Sequence, residues 1–397
     1  MASLTVGAMR ILHTSDWHIG RTLHGVDLLA DQAAALAAIA DLVGTHGVDV
    51  VVVPGDIYDR SVPGVEAITV CNDGLAAIRA AGAHIVATSG NHDSPARLGA
   101  GAAFAAAGGL HLRTRVADVA DPVLLADADG PVAFYGIPYL EPDLARGELD
   151  VPDARSHADI LTAAMARIHA DRAGRPGIRS VVLSHAFVQG GAAAGSERTI
   201  AVGGVETVPA ELFAGIDYVA LGHLHSPQTI DPRIRYSGSP LPYSFAEGAQ
   251  AKAVWMIDLD EVGAVTVIRH DLPVSRQLAR ITGELDQLLT DSALSRFEDH
   301  YVSAVLTDPT RPADPMRRLR ARFPHAVHLE WERPTAGTQL CYRERVRGRS
   351  DLEIARRFVA DVRDRATPGE LDWLDRALTA AAVESEHPGD ATERQSA

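Results

Sequence analysis

The chain has 397 residues, 46% of them apolar and 22% charged, enough for one large core and a smaller domain and unlike a disordered or fibrous chain. Its formal net charge of −15 argues against a broad basic surface that holds nucleic acid by counterion release alone, though not against nucleic acid as a substrate. Two distant cysteines, Cys71 and Cys341, argue against a disulfide framework or a thiolate zinc ribbon, and no segment is long and apolar enough to span a bilayer.

Residues 1–8 lack the basic start that a signal peptide needs, so a cytoplasmic location is expected, and Met9 is a second candidate start. The apolar run at 10–14 reads as a strand. Leu36, Ile39, Leu42 and Val43 predict a helix over 28–45. A strand at 48–53 follows, then a helix over 64–81 with Pro63 just ahead of it. A strand at 84–88 leads to a helix over 96–107, stopped by Gly108-Gly109. Beyond Pro138 the pattern loosens into a helix over 156–170, a strand at 179–183 and a flexible glycine-rich loop at 190–195. Strands at 218–221, 234–237, 253–257 and 265–269 come next. Pro273 marks a boundary, after which strand, helix, strand, helix, strand at 277–281, 284–289, 302–307, 316–322 and 326–331 read as a small capping domain. A charged stretch over 332–350 leads to two amphipathic helices, 351–366 and 370–382. Their apolar positions include Leu352, Ala355, Phe358, Val359, Val362, Leu371, Leu374 and Leu378. The polar tail 384–397 has the composition of a disordered segment, and no internal repeat is visible.

Five short motifs end apolar runs with metal-ligand side chains. They are Asp16-Trp17-His18, Gly55-Asp56, Gly90-Asn91-His92-Asp93, Ser184-His185 and Gly222-His223-Leu224-His225. Oxygen and imidazole donors without any thiolate suit Mn, Fe or Zn in a hydrolytic centre better than a structural zinc site. At the carboxyl ends of parallel strands such residues converge on one sheet edge. Each motif alone is weak, since Gly-Asp is a common turn dipeptide and a D-x-H triplet can be a plain strand exit. In this order, each at a strand end, they leave little room for accident. Alternation along a strand predicts that His223 and His225 face one site while Leu224 packs away.

The ordered set resembles the signature of the calcineurin-like metallophosphoesterases. The match is closer to their bacterial SbcD branch, nuclease subunits related to Mre11. It is carried by Ile11-Leu12-His13-Thr14-Ser15-Asp16-Trp17-His18-Ile19-Gly20, Gly55-Asp56-Ile57-Tyr58-Asp59, Gly90-Asn91-His92-Asp93-Ser94 and Tyr236-Ser237-Gly238-Ser239-Pro240. It runs from about Met9 to about Asp271 and continues more weakly to the arginine-rich stretch near Arg343.

The resemblance implies an α/β fold: a two-sheet metallophosphoesterase sandwich flanked by helices, with a small α/β capping domain and C-terminal helices. The expected divisions are a nuclease domain at 1–272, a DNA-capping domain at 273–335, partner-binding helices at 336–383 and the tail at 384–397. It also implies two divalent metal ions, Mn2+ foremost, with Mg2+, Fe2+ or Zn2+ as alternatives. Asp16, His18 and His225 would hold the first ion and Asn91, His185 and His223 the second, with Asp56 bridging. His92 is expected as the catalytic group beside the scissile phosphate, with Asp93 hydrogen-bonded to it. Archaeal relatives carry histidine at the position of Asp59, whose role is left open.

The activity implied is double-strand exonuclease and single-strand or hairpin endonuclease cleavage of DNA, in repair and recombination. The chain has no G-x-x-x-x-G-K-[ST] motif, so ATP hydrolysis is expected from a partner, an SbcC-like ABC ATPase. A homodimer within a heterotetramer, without membrane contact, is the expected assembly. Two other classes remain open: a small-substrate metallophosphodiesterase or phosphatase, and a non-catalytic docking scaffold for an ATPase.

Several residues have plainer readings. His13, inside a strand, reads as a packed core histidine. Arg317, Arg318, Arg320 and Arg322 fit phosphate contacts or a solvated helix face equally well, and the mixed charges of 343–347 favour solvation. Lys252 stands nearly alone among arginines, which reads as compositional bias.

Overall fold

The computed structural model describes residues 8–194, 196–198, 207–248, 250–332, 348–363 and 367–385. The chain divides into two compact units. The first comprises Met1–Arg280, Arg296–Ser303 and His325–His328, and the second Ile281–Ser295, Ala304–Pro324 and Leu329–Ala397.

Two six-stranded sheets build the first unit. One has the order Val265–Asp271, Ala253–Leu259, Met9–His13, Val50–Pro54, His84–Thr88, Leu110–Arg113, parallel from Met9–His13 onward and antiparallel before it. The other has the order Gln228–Asp231, Ile234–Tyr236, Tyr218–Gly222, Arg179–His185, Gly130–Ile137, Val123–Asp127, with four parallel strands between antiparallel edges.

Alternation of side chains sorts these strands into layers. Ile11, Val50, Val52 and Val86 of the first sheet pack against Val132, Phe134, Val181, Leu183 and Ala220 of the second, forming the central core. The residues between them point outward. Leu12, Val51, Val53, Ile85 and Ala87 meet Leu36, Ile39 and Val43 of helix Leu29–His46 and Cys71 and Ile78 of helix Val65–Ala80. On the other side Ala133, Tyr135, Val182, Val219 and Leu221 meet Ile160, Leu161, Ala164, Met165 and Ile168 of helix His157–Ala173. That helix begins with a capping box between Ser156 and Asp159. Strands buried on both faces read as unbroken apolar runs, which is why they were visible without alternation.

Several elements were not expected from the sequence. Leu110–Arg113, Val123–Asp127, Gly130–Ile137 and Gln228–Asp231 are strands of the two sheets where none was expected. The predicted helix at 96–107 is two short ones, Pro95–Leu98 and Ala102–Ala107, parted at Gly101, whose φ of 75° is left-handed. Glycine adopts that backbone at little cost, so it ends the helix that the alanines on either side favour.

The strands Leu278–Gly283, Tyr301–Leu306 and Ala326–Trp331 form a separate sheet with Tyr301–Leu306 in the middle. In the second unit helices Leu285–Thr290 and Pro315–Arg322 bury Leu285, Leu288 and Leu319. Arg318 pairs with Asp286, Arg317 with Asp314, and Arg322 donates to the carbonyls of Leu288 and Asp291. These three arginines of the cluster are engaged by the protein itself. The same unit ends in helices Asp351–Arg363 and Pro368–Ser385, where Phe358 is 58% and Trp373 73% exposed. Cys341, the arginine-rich stretch at 343–347 and the tail beyond 385 lie outside the described residues. Among the described residues no helix is long and apolar enough to cross a membrane.

Candidate metal centre

Every predicted site residue sits just beyond, or at, the carboxyl end of a parallel strand. Asp16 and His18 follow Met9–His13, Asp56 follows Val50–Pro54, and Asn91, His92 and Asp93 follow His84–Thr88. His185 ends its strand, and His223 and His225 follow Tyr218–Gly222 of the second sheet. The two sheets meet here because glycines let them. A Cβ on Gly222 would collide with the Pro54 carbonyl, and one on Gly90 with the Asp56 carboxylate.

The backbone is bent hard at this edge. Asp16, His18, Asp56 and His223 have positive φ, at 54°, 45°, 50° and 104°. For residues other than glycine such conformations cost about 1–3 kcal/mol each and cluster at functional sites. His223 and His225 therefore reach the site through a turn rather than by strand alternation, while Leu224 is buried in the helix-side core. The His223 N–H donates to Asp16 Oδ1 at 2.9 Å, tying the second sheet to the first loop.

Ligand atoms converge in two groups. His18 Nε2 lies 3.0 Å from His225 Nε2 and 3.5 Å from Asp56 Oδ2, and Asp16 offers an oxygen to the same cluster. His185 Nε2 lies 2.8 Å from Asn91 Oδ1 and 3.4 Å from Asp56 Oδ2. The His223 ring packs edge-on against His185 at 5.3 Å. Asp56 Oδ2 lies near both groups, and Asp16, which also clusters with Asp56 and His185, belongs to both as well.

Charge and tautomer show what this arrangement fits. Burial, then the charge of Asp56, raises the Asp16 carboxyl well above its usual range. Burial holds His18, His185 and His223 below the usual imidazole range, so they are neutral and present lone pairs. His185 donates its Nδ1–H to the Pro54 carbonyl, which leaves Nε2 as an acceptor facing the acceptor oxygens of Asn91 and Asp56. Acceptors aimed at one another around buried carboxylates are compensated by cations placed between them. The donor set, oxygen and imidazole without sulfur, suits divalent ions such as Mn, Fe or Zn.

His92 and Asp93 part company. The His92 ring stands edge-on to His18 at 4.6 Å, and its Nδ1 bonds the Asp59 carbonyl at 2.8 Å. The Asp93 carboxylate accepts instead from the backbone N–H groups of Ile57, Tyr58 and Gly90, clamping the two loops. Burial, then the charge of Asp56, pushes its carboxyl up to about 7 against those three bonds. The Asp59 side chain lies 3.6 Å from His18 Nδ1 and 3.9 Å from His92 Nδ1, between the two rings.

Other residues at the centre carry no motif. Ser15 donates to Asp16 Oδ2 at 2.5 Å, and Glu197 accepts the His225 N–H at 3.1 Å. Ser196, Glu247 and Lys252 lie behind His225. His13 is buried, bonded to the Tyr218 hydroxyl at 3.0 Å and the Leu221 carbonyl at 3.1 Å, as a core histidine is.

A two-sheet sandwich with carboxylates, neutral imidazoles and an amide gathered at one strand-end edge fits a metal-dependent hydrolase. The chain belongs to the calcineurin-like phosphoesterase family, whose model matches residues 9–227. Residues 274–363 match the SbcD_C model, described as the type 5 capsule protein repressor C-terminal domain, and the two matches in series are those of an SbcD-like protein of the Mre11 family. Solved structures are similar to the chain at low identity and low TM-score. A dimetal phosphatase from Danio rerio is 13% identical over 67% of this chain and 96% of its own, with a TM-score of 0.41. The protein TT1561 of Thermus thermophilus is 12% identical over 66% and 98%, with a TM-score of 0.39. An archaeal phosphodiesterase is 12% identical over 66% and 100%, with a TM-score of 0.29.

Proposed function

We propose that the chain is a metal-dependent DNA nuclease, the D subunit of an SbcCD-like complex, cutting duplex ends exonucleolytically and single strands or hairpins endonucleolytically. One observation carries this reading: a cluster of carboxylate and imidazole donors at one sheet edge is followed in the same chain by an SbcD_C-type segment. A phosphoesterase for small substrates has no use for that segment. In this reading it helps to orient the duplex.

Asp16, His18 and His225 would hold one divalent ion and Asn91, His185 and His223 the other, with Asp56 shared. Bound there, two such ions, Mn2+ in this proposal, would supply a water of lowered pKa as nucleophile and neutralisation of charge on the phosphate oxygens. The chain's own groups do the rest. His18 and His185 are kept neutral by burial, so their lone pairs are available at physiological pH. Asp59 fixes the His92 ring through its backbone carbonyl, which leaves Nε2 free to meet the leaving oxygen. Asp93 holds the loops that carry Asp56 and His92 in register, since it binds the backbone on both.

The chain works in the cytoplasm, on the nucleoid, as a homodimer paired with an ABC-type ATPase. The terminal helices, with Phe358 and Trp373 exposed, provide the ATPase contact. The test is purified protein with Mn2+ on linear duplex, on a DNA hairpin and on a chromogenic phosphodiester, with a chelator control. Chelator-sensitive DNA cleavage is expected. Chromogenic activity alone would move the assignment to a small-substrate phosphodiesterase, and no activity on any substrate would overturn it.

A further inference from the structure

Lys252 is the only lysine in a chain with 37 basic residues. Its side chain is 0% exposed. An ammonium has three protons to donate, and all three are used. They go to Glu247 Oε2 at 2.5 Å, to Ser239 Oγ at 3.0 Å and to the backbone carbonyl of His225 at 2.8 Å. A guanidinium carries five donors in a planar fork and does not match this tripod. The single lysine of a chain otherwise served by arginine thus stands where all three ammonium donors meet acceptors.

The partner carboxylate leads back to the same histidine. Glu247 is also fully buried, and its other oxygen accepts the hydroxyl proton of Ser196. Ser196 Oγ lies 2.6 Å from His225 Nδ1. A serine has one hydroxyl proton, already given to Glu247, so Ser196 accepts from His225 and the imidazole proton sits on Nδ1. His225 Nε2 is then the bare nitrogen, facing His18 Nε2. Arg21 holds the loop in place by donating to the Ser196 carbonyl at 2.8 Å.

We infer that Lys252, Glu247 and Ser196 form a positioning chain that fixes His225 from both ends, its backbone through Lys252 and its ring tautomer through Ser196 and Glu247. The inference rests on the reading above that His225 is a ligand of the first ion. Partners that orient a ligating histidine commonly change metal affinity about 10–100-fold when removed. A purely structural pair would instead lower the stability of the whole centre without singling out one ion.

The experiment is calorimetric titration of the full chain with Mn2+, beside thermal melting of the metal-free protein. Wild type is expected to show two binding events. Ser196→Ala removes the hydroxyl that joins His225 to Glu247 and leaves the Lys252–Glu247 ion pair in place. It should weaken one event about 10–100-fold, leave the other unchanged and leave the metal-free melting temperature within a degree or two of wild type. Ser196→Thr keeps a hydroxyl and should restore wild-type affinity. Glu247→Gln keeps the shape and removes the charge, and should weaken the same event. Wild-type affinity at both events in Ser196→Ala would overturn the inference while sparing the metal centre. So would equal weakening of both events with a lowered melting temperature. Absence of Mn2+ binding by wild type would overturn the metal centre itself.

Discussion

The Nδ1–H of His185 donates to the backbone carbonyl of Pro54 at 3.0 Å, from the last residue of one central strand to the last residue of another in the facing sheet. One bond thus closes the seam of the sandwich and sets the tautomer of a proposed ligand. The seam and the site are the same place, so packing changes here should be read out as metal affinity.

Gly222→Ala tests that coupling. The added methyl would run into the Pro54 carbonyl and sit 3.0 Å from His185 Nδ1. Overpacking of this kind costs about 1–3 kcal/mol. The expected outcome is a lower melting temperature together with at least tenfold weaker Mn2+ binding. Loss of stability with wild-type metal affinity would uncouple seam from site.

His92 and Asp93 should separate chemistry from structure. His92→Gln should keep both ions and DNA binding and lose about 10²–10⁴-fold in turnover, because it removes a group acting on the reacting phosphate. Asp93→Ala strips the acceptor from three buried or half-buried N–H groups and should lower the melting temperature as well as activity. Calorimetry and melting curves beside a cleavage assay check both. Metal loss in His92→Gln in step with its activity would make His92 a structural residue.

The strand-end residues were legible in the sequence because each strand that delivers them is buried on both faces and reads as an apolar run such as Val50–Val53. The edge strand Val123–Asp127 and the strand Gly130–Ile137 were not, because Gly130, Pro131 and Gly136 interrupt the pattern that tertiary pairing overrides. Ser196, Glu197 and Glu247 were invisible for another reason. They reach His225 from distant loops, and one Ser or Glu in a loop carries no spacing. Lys252 did leave a signal, its rarity, which composition alone could not tell from bias.

His13 predicts an acid limb of stability. Burial, against its bond to the Leu221 carbonyl, lowers its pKa from 6.5 to about 3. The unfolded chain therefore binds one more proton than the folded chain between those values. The contribution of His13 is complete above pH 6.5 and is lost as pH falls toward 3, by about 1.4 kcal/mol per pH unit at most. Metal-free wild type and His13→Gln should be unfolded with urea at several pH values. Other histidines titrate in both proteins, so their stability difference isolates this one and should shrink from pH 6.5 to 4.5. A constant difference would contradict the buried neutral imidazole.

Removing everything after Trp331 should spare every proposed ligand, all of which lie before residue 226. Hydrolysis of a small phosphodiester with Mn2+ should survive, while co-purification with the ATPase and ATP-stimulated duplex cleavage should be lost. Full-yield capture of the ATPase by the truncated chain would place the contact elsewhere.

If one edge of the sandwich holds two divalent ions with Asp56 between them, anomalous diffraction from crystals grown with Mn2+ will show two peaks, one touching Asp16, His18 and His225, the other Asn91, His185 and His223, both touching Asp56, and both will be lost in Asp56→Asn. A single peak, or peaks that leave Asp56 untouched, would contradict the shared carboxylate.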